Sequence, residues 1–329
     1  MTQKILETRP ESDRPQPREI RQAPRSVEQL VRTTTWAEDQ LSRTEPLLTR
    51  EWLVTNGLGG YASGTVSGVP TRRYHGILTA ALSAPLGRTL VLSHLTEQTR
   101  LPDGTTVRFG GLEAADGELE MYGVGHFDEF RLEAGIPVWR YRIDDSVLEK
   151  RLFLSHRQNT AYLRYRLLQG ERLRLKLRPG VNFRDHDGPV SEPLARPYVL
   201  TCIDDRFEVR SARHDLPALR LRLFGREEAF TIERTEREFL YRMEQARGYD
   251  YIGELWSPGY FRVDLTPEEP AFLVASTETW DCIDLLTPEE AYRVERERRE
   301  RLLAQTQSGA HDGTAEELVL AADQFIITP

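Results

Sequence analysis

The stretch from Glu51 to Gly76, EWLVTNGLGGYASGTVSGVPTRRYHG, gathers the residue types in this chain that could do chemistry. It carries five glycines within twelve residues (Gly57, Gly59, Gly60, Gly64 and Gly68) and closes on Arg72, Arg73, Tyr74 and His75. Glycine costs backbone entropy, so this density marks a chain that must turn with φ > 0 or let another surface approach. The Arg-Arg-Tyr-His cluster offers forked planar donors, an aromatic face and a titratable ring, which are the parts of a polar recognition surface. No Asp or Glu occurs from Trp52 to Thr96, where composition would place about seven. The loop therefore reads as locally cationic within a chain of net charge −8.

Gly57-Leu58-Gly59-Gly60-Tyr61-Ala62 fits the G-x-G-x-x-G/A pattern of dinucleotide sites, and an apolar run precedes it. That reading needs a helix after the glycines and an acid about twenty residues on. The following Ser63-Gly64-Thr65-Val66-Ser67-Gly68-Val69-Pro70 is no helix, and the acid is absent. Nucleotide binding is rejected on that context. Asp185, His186 and Asp187 suit a metal or acid–base role chemically, but a polar loop tip after Pro179-Gly180 is the commoner identity. The other histidines (His94, His126, His156, His214 and His311) show no ligand spacing. No metal and no cofactor is expected.

The elements that position the loop are strands. Leu173, Leu175 and Leu177 alternate with Arg172, Arg174, Lys176 and Arg178, as Trp139, Tyr141 and Ile143 alternate with Arg140 and Arg142. Period-2 alternation gives each strand one buried and one wet face. Asp144-Asp145 turns the second of these runs into Val147–Leu154, a hairpin. Further runs at 161–168, 206–210, 219–223, 230–232 and 261–265 are too many for one flat sheet, so two antiparallel sheets packed face to face are expected. Trp256-Ser-Pro-Gly-Tyr260 reads as a type II turn whose aromatics usually pack inward.

Thr287-Pro288-Glu289-Glu290 is a capping box that opens a charged helix to about Leu303. Gln305–Gly313 reads as a polar linker. A second box at Thr314–Glu317 opens a helix with Leu318, Ala321, Ala322 and Phe325 on one face, a stripe that needs a partner. The expected organisation is a loosely ordered tail (1–44), a β-sandwich (45–286), a linker helix and loop (287–313) and the first helix of a truncated further domain (314–329).

The acidic balance and pI near 5.6 argue against nucleic acid or an anionic membrane as partner. Two cysteines, Cys202 and Cys282, form no metal or disulfide framework. The N-terminus lacks an apolar leader and no run is long enough to span a membrane, so a cytoplasmic location is the expectation.

The run EWLVTNGLGGYASGTVSGVPTRRYHGIL with Gly87-Arg88-Thr89-Leu90 resembles the N-terminal domain of bacterial and archaeal glycogen debranching enzymes, the amylo-α-1,6-glucosidase family. Leu148-Glu149-Lys150-Arg151, Asn159-Thr160, Arg164-Tyr165, Leu255–Phe261 and Ala321–Ile326 extend the resemblance from about Leu47 to the C-terminus. It implies a galactose-mutarotase-like supersandwich, joined by a helix to an (α/α)6 catalytic barrel that removes α-1,6-linked glucose at branch points. Hydrolysis needs two carboxyl groups across the scissile bond, and the resemblance puts them in that barrel, so no catalytic residue is assigned here. Asn56, Tyr61, Arg72, Arg73, Tyr74 and His75 have the chemistry to line one wall of the cleft for an α-glucan or glycogen branch oligosaccharide. The competing reading makes them a structural turn, with both arginines paired to acids elsewhere. A stand-alone carbohydrate-binding module for α-glucans is the alternative function. If the loop is a cationic wall, its carboxylate counterparts are expected from the other domain.

Overall fold

Period-2 alternation builds most of this molecule, and the computed structural model describes residues 31–35, 44–304 and 314–328 of it. The strands, in chain order, are β1 (Val31–Thr35), β2 (Glu51–Thr55), β3 (Tyr61–Thr65), β4 (Gly76–Ala81), β5 (Arg88–Arg100), β6 (Thr106–Glu113), β7 (Leu119–Tyr122), β8 (Phe127–Glu133) and β9 (Ile136–Ile143). They continue with β10 (Ser146–Leu154), β11 (Thr160–Gln169), β12 (Leu173–Asp185), β13 (Val199–Ile203), β14 (Arg206–Arg210), β15 (Leu219–Phe224), β16 (Arg226–Leu240), β17 (Ile252–Leu265) and β18 (Ala271–Ser276). Short helices α1 (Thr44–Thr49), α2 (Arg242–Ala246) and α3 (Trp280–Ile283) punctuate them, and α4 (Pro288–Ala304) and α5 (Thr314–Asp323) follow.

Two sheets result. The first runs β1-β8-β9-β10-β11-β18-β15-β14-β13; the second runs β16-β17-β12-β5-β4-β3-β2, with β6 paired to β5 and β7 to β6. The β-sandwich read from the alternation is the observed fold. Leu173, Leu175 and Leu177 are fully buried between the sheets while Arg174 on the other face is exposed. Trp52 from the second sheet meets Trp139 from the first edge-on, with ring centroids 5.3 Å apart, and the Trp139 indole donates to Val66 O at 3.0 Å. One charged contact also crosses the core. Lys150 Nζ lies 2.5 Å from buried Glu97, which also accepts from the Tyr165 hydroxyl, so a buried carboxylate is paired and hydrogen-bonded as burial of charge demands. The exposed edge strand β16, REEAFTIERTEREFL, carries charges along most of its length, which discourages pairing with another chain.

The outer face of the first sheet is covered by α4. Ile136, Phe153, Tyr162 and Val274 project from β9, β10, β11 and β18 to meet Ala291 and Tyr292 of this helix. The expected capping box forms: Glu290 accepts from Thr287 N and Oγ1 at 2.9 and 2.8 Å, and Glu290 N donates back to Oγ1 at 3.3 Å. Helix α5 forms as well, but Leu320 is the residue it buries, against Ala134 and Leu303. Leu318 and Phe325, read as its apolar stripe, are 65% and 82% exposed.

Three local readings change. Val31–Thr35 lies within the expected tail, yet it pairs with Glu129–Glu133 of β8, so the chain joins the first sheet before Glu45. The rest of that tail, except Thr44 in α1, lies outside the described residues, as does most of the expected linker, 305–313. Trp256–Tyr260 is no turn. It lies inside β17, where the register shifts opposite Ile232–Thr235, so Pro258 and Gly259 sit at an irregularity of the ladder, where missing donors are tolerated. Trp256 is buried and tilts against Tyr198, with ring centroids 5.1 Å apart. Finally, β12 continues through Asn182–Asp185, so that stretch is mostly strand and not loop tip.

Candidate functional site

The β2–β3 hairpin supplies the floor of the site. Its register sets Glu51 opposite Thr65, Leu53 opposite Ser63 and Thr55 opposite Tyr61. Val54 and Ala62, of opposite parity, are fully buried in the core. On the other face, Glu51, Leu53, Thr55, Tyr61 and Ser63 line a cleft of about 480 Å3. Tyr74, Arg88, His186 and Asp187 add polar walls, and Phe325, Ile326 and Ile327 close an apolar side. Thr328 N donates to Gly57 O at 2.9 Å, which lays this C-terminal segment along the glycine loop.

The glycines of the loop are needed individually. Gly59 has φ +98°, a region L side chains rarely adopt. At Gly60 a Cβ would come within 2.6 Å of Asn56 Nδ2 and 2.9 Å of Thr79 O. The loop is packed that tightly because Asn56 is its fastener. Asn56 is fully buried; its amide donates to Gln158 O and Asn159 Oδ1, both at 3.0 Å, and its Oδ1 accepts from Leu58 N at 3.0 Å. Asn159 in turn brackets Ala81, accepting from its N–H at 2.8 Å and donating to its carbonyl at 2.9 Å.

The Arg72–His75 turn is also anchored. His75 Nδ1 accepts from Thr71 N and Arg72 N at 3.1 and 3.3 Å, which leaves the ring proton on Nε2, 3.5 Å from Glu51 Oε1. Burial pulls the His75 pKa below its ordinary value, so the ring is neutral at physiological pH. Arg72 Nε reaches Glu51 Oε1 at 2.5 Å. Burial alone would raise the Glu51 carboxyl, but the nearby His75 ring and the hydrogen bond from Arg72 outweigh it and hold the pKa at about 2. Arg73 points elsewhere. Its Nε lies 3.4 Å from buried Glu244 of α2 and 3.5 Å from Asp187, and its guanidinium stacks 4.9 Å from the Tyr249 ring. Buried Arg184 locks the turn from below by donating to the Arg73 carbonyl and to Asp185 O.

The six residues singled out from sequence thus have different placements. Tyr61 and Tyr74 line the cleft, with the Tyr61 hydroxyl donating to Tyr74 O at 3.1 Å and its pKa pushed by burial to about 12. His75 touches the cleft with a buried ring. Asn56, Arg72 and Arg73 are outside its lining and hold the loop. The carboxylates expected from another domain for these arginines come from this chain: Glu51, Asp187 and Glu244. Two of those lie far along the sequence, which is why the local absence of acids misled. Glu51 was recoverable, since it shares the period-2 face of Leu53 and Thr55. Arg88 was the other omission. It is exposed in the cleft and has no carboxylate partner among the described residues. His186 lies edge-on to Tyr61 at 6.1 Å, with Asp185 Oδ1 3.1 Å from its Nδ1. No cluster of three or more metal-ligating side chains occurs among the described residues. Nor is any described helix long and apolar enough to cross a membrane.

Comparison with known proteins yields a family. Solved structures give distant similarity: a putative kojibiose phosphorylase from the human microbiome (10% identity, TM-score 0.37, covering 88% of this chain and 37% of that one) and a bacterial glucoamylase complexed with acarbose (8%, 0.34, 89% and 38%). A third is a family GH92 α-mannosidase from Bacteroides thetaiotaomicron (12%, 0.26, 83% and 35%). The chain thus spans little more than a third of each of those structures. The comparison with curated proteins gives no match. The family model described as glycogen debranching enzyme N terminal matches residues 50–272, which include the cleft floor, the glycine loop and most of both sheets. The chain belongs to the glycogen debranching enzyme N-terminal family.

Proposed function

We propose that this chain is the β-sandwich domain of an α-1,6-glucosidase-type glycoside hydrolase and frames a branched α-glucan beside a separate (α/α)6 catalytic domain. The observation that carries the reading is the cleft floored by β2 and β3. It combines two tyrosine side chains, an Arg88 with no carboxylate partner among the described residues and the carboxylates Glu51 and Asp187 against an apolar wall. Such a mixture suits a sugar, whose C–H faces pack on aromatics while its hydroxyls take planar polar partners. The exposed Phe325 and Ile326 at its apolar side support a neighbouring domain as the opposite wall.

Calorimetric titration with a branched maltooligosaccharide and its linear isomer tests the reading. One wall of a two-walled cleft predicts weak affinity, in the millimolar range, that favours the branched sugar and is lost in Tyr74→Ala. Micromolar affinity for the linear sugar would favour the alternative, a stand-alone carbohydrate-binding module. Release of glucose from a branched dextrin by this chain alone would overturn the framing role.

A further inference from the structure

The outer face of the second sheet carries another cleft, of about 340 Å3, that shares no lining residue with the first. The strand register explains its charge. Arg108 on β6 pairs with Gln98 on β5, Gln98 with Lys176 on β12, and Lys176 with Arg262 on β17. Directly opposed residues share a face, so three cations and one amide form a row across four strands with no acid among them. Like charges directly opposite each other on neighbouring strands destabilise a sheet. The ladder nevertheless sets Lys176 against Arg262, and neither has a carboxylate partner among the described residues. Arg178, one step along the same face, shows what neutralisation looks like here: it is matched by Glu233 at 2.5 Å.

A hairpin walls one side of the cleft. The β6–β7 hairpin leaves β5 and reaches across to β16, where Ala114 bridges Phe239 and Arg237 pairs with Glu120. Lys176 is held over the Tyr260 ring, its Nζ 3.6 Å from the centroid. His94, 7% exposed and without a hydrogen-bond partner among the described residues, turns its ring into the same space. Burial holds that ring neutral, with a pKa of about 3, so it can donate to or accept from a hydroxyl. Thr96, Gln98 and Thr235 add further polar groups.

We propose that this cleft is a binding site for a small phosphate monoester of a polyhydroxylated molecule, such as a hexose phosphate. A dianion would relieve the repulsion at Arg108 and Lys176, the members of the row that line the cleft, and the neutral polar groups would take the hydroxyls; the acid in the lining, Glu236, is already paired with Arg196 and Arg234 at 3.0 Å. The hairpin wall and the acidic balance of the whole chain, −8, favour a small anion over a polyanion.

Calorimetric titration of the chain with glucose 6-phosphate, inorganic phosphate and glucose at low salt tests it. Glucose 6-phosphate should bind, phosphate more weakly, and glucose not at all. Lys176→Met should weaken glucose 6-phosphate by ~10-fold or more, the equivalent of one lost charged contact, while Lys176→Arg keeps most of the affinity. Gln98→Glu gives a second readout: a carboxylate inserted between Arg108 and Lys176 should raise the midpoint of thermal unfolding and abolish phosphate binding together. No heat from glucose 6-phosphate at millimolar concentration overturns the proposal. So does unchanged affinity in Lys176→Met and Gln98→Glu, or glucose binding as tightly as its phosphate.

Discussion

Glu51 and His75 face each other at the lip of the cleft, Oε1 of one 3.5 Å from Nε2 of the other. Because His75 spends its Nδ1 lone pair on the backbone of its own turn, its remaining proton can serve only Glu51. Arg72 completes the arrangement from the side. A carboxylate inside the glycine motif thus orders the arginine and histidine that end it.

Glu51→Gln tests this anchoring. The variant keeps the shape but leaves Arg72, already carrying a buried and unpaired Nη1, without its counter-charge. Hydrogen bonds to charged groups are worth about 1.5–3 kcal/mol, but Glu51 is exposed and screened by solvent, so a loss of about 1 kcal/mol by urea unfolding is expected at neutral pH. The pH dependence has a definite sign. The Glu51 pKa is depressed from 4.5 to about 2, so its contribution is complete above pH 4.5 and vanishes as pH falls through 2. A carbon-detected NMR titration that found the Glu51 carboxyl protonating near pH 4.5 would contradict the arrangement.

His94 sets a second pH window. Its pKa is depressed from 6.5 to about 3 by burial first, then by Lys150 and Arg237, so below pH 6.5 the unfolded chain takes up a proton that the folded chain refuses. Stability attributable to this site is therefore full above pH 6.5 and lost progressively down to pH 3, with a limiting slope of about 1.4 kcal/mol per pH unit. His94→Gln should flatten the stability curve of the whole chain between pH 6.5 and 4. An unchanged slope would place the proton uptake elsewhere, with His75 as the next group to examine.

Gly60→Ala separates steric need from glycine's backbone freedom. The new methyl would meet Asn56 Nδ2 and Thr79 O, one of which is backbone and cannot yield. Overpacking of this kind costs about 1–3 kcal/mol, and the displaced Asn56 amide adds to it. Gly87→Ala is the control. It meets nothing within 4 Å, so only its left-handed φ of +61° opposes the substitution, at about 1 kcal/mol. Thermal unfolding should rank the two in that order.

The sandwich was legible because alternation in runs such as Leu173–Leu177 reports directly which face meets a core. The helix start at Thr287 was legible because a capping box is a local exchange of hydrogen bonds. What escaped depended on distant residues. Pro258-Gly259 looks like a turn until β16 is seen beside it, supplying the shifted register that absorbs both residues. Arg73 looks unpaired until α2 brings Glu244 beneath it. The face of α5 was misjudged because Arg298 holds Asp323 at 3.0 Å and rotates Leu320 inward, leaving the stripe of Leu318 and Phe325 facing out.

The two kinds of arginine in this region give the last expectation. Arg73 is tied to Glu244 and Asp187 and stacked on Tyr249, so Arg73→Ala leaves the buried Glu244 carboxylate without its main cation. Removing one partner of a buried pair costs about 3–5 kcal/mol, and partial exposure of Arg73 should bring the loss toward the lower end. Arg88 has no such tie among the described residues, and Arg88→Ala should leave the unfolding midpoint within the error of measurement. Sugar binding should respond in the opposite order. If the cleft frames a branched glucan, Arg88→Ala weakens a branched maltooligosaccharide several-fold in a calorimetric titration of a fully folded chain. A folded Arg88→Ala chain with undiminished affinity would remove Arg88 from the sugar-facing wall and leave Tyr61 and Tyr74 to account for recognition.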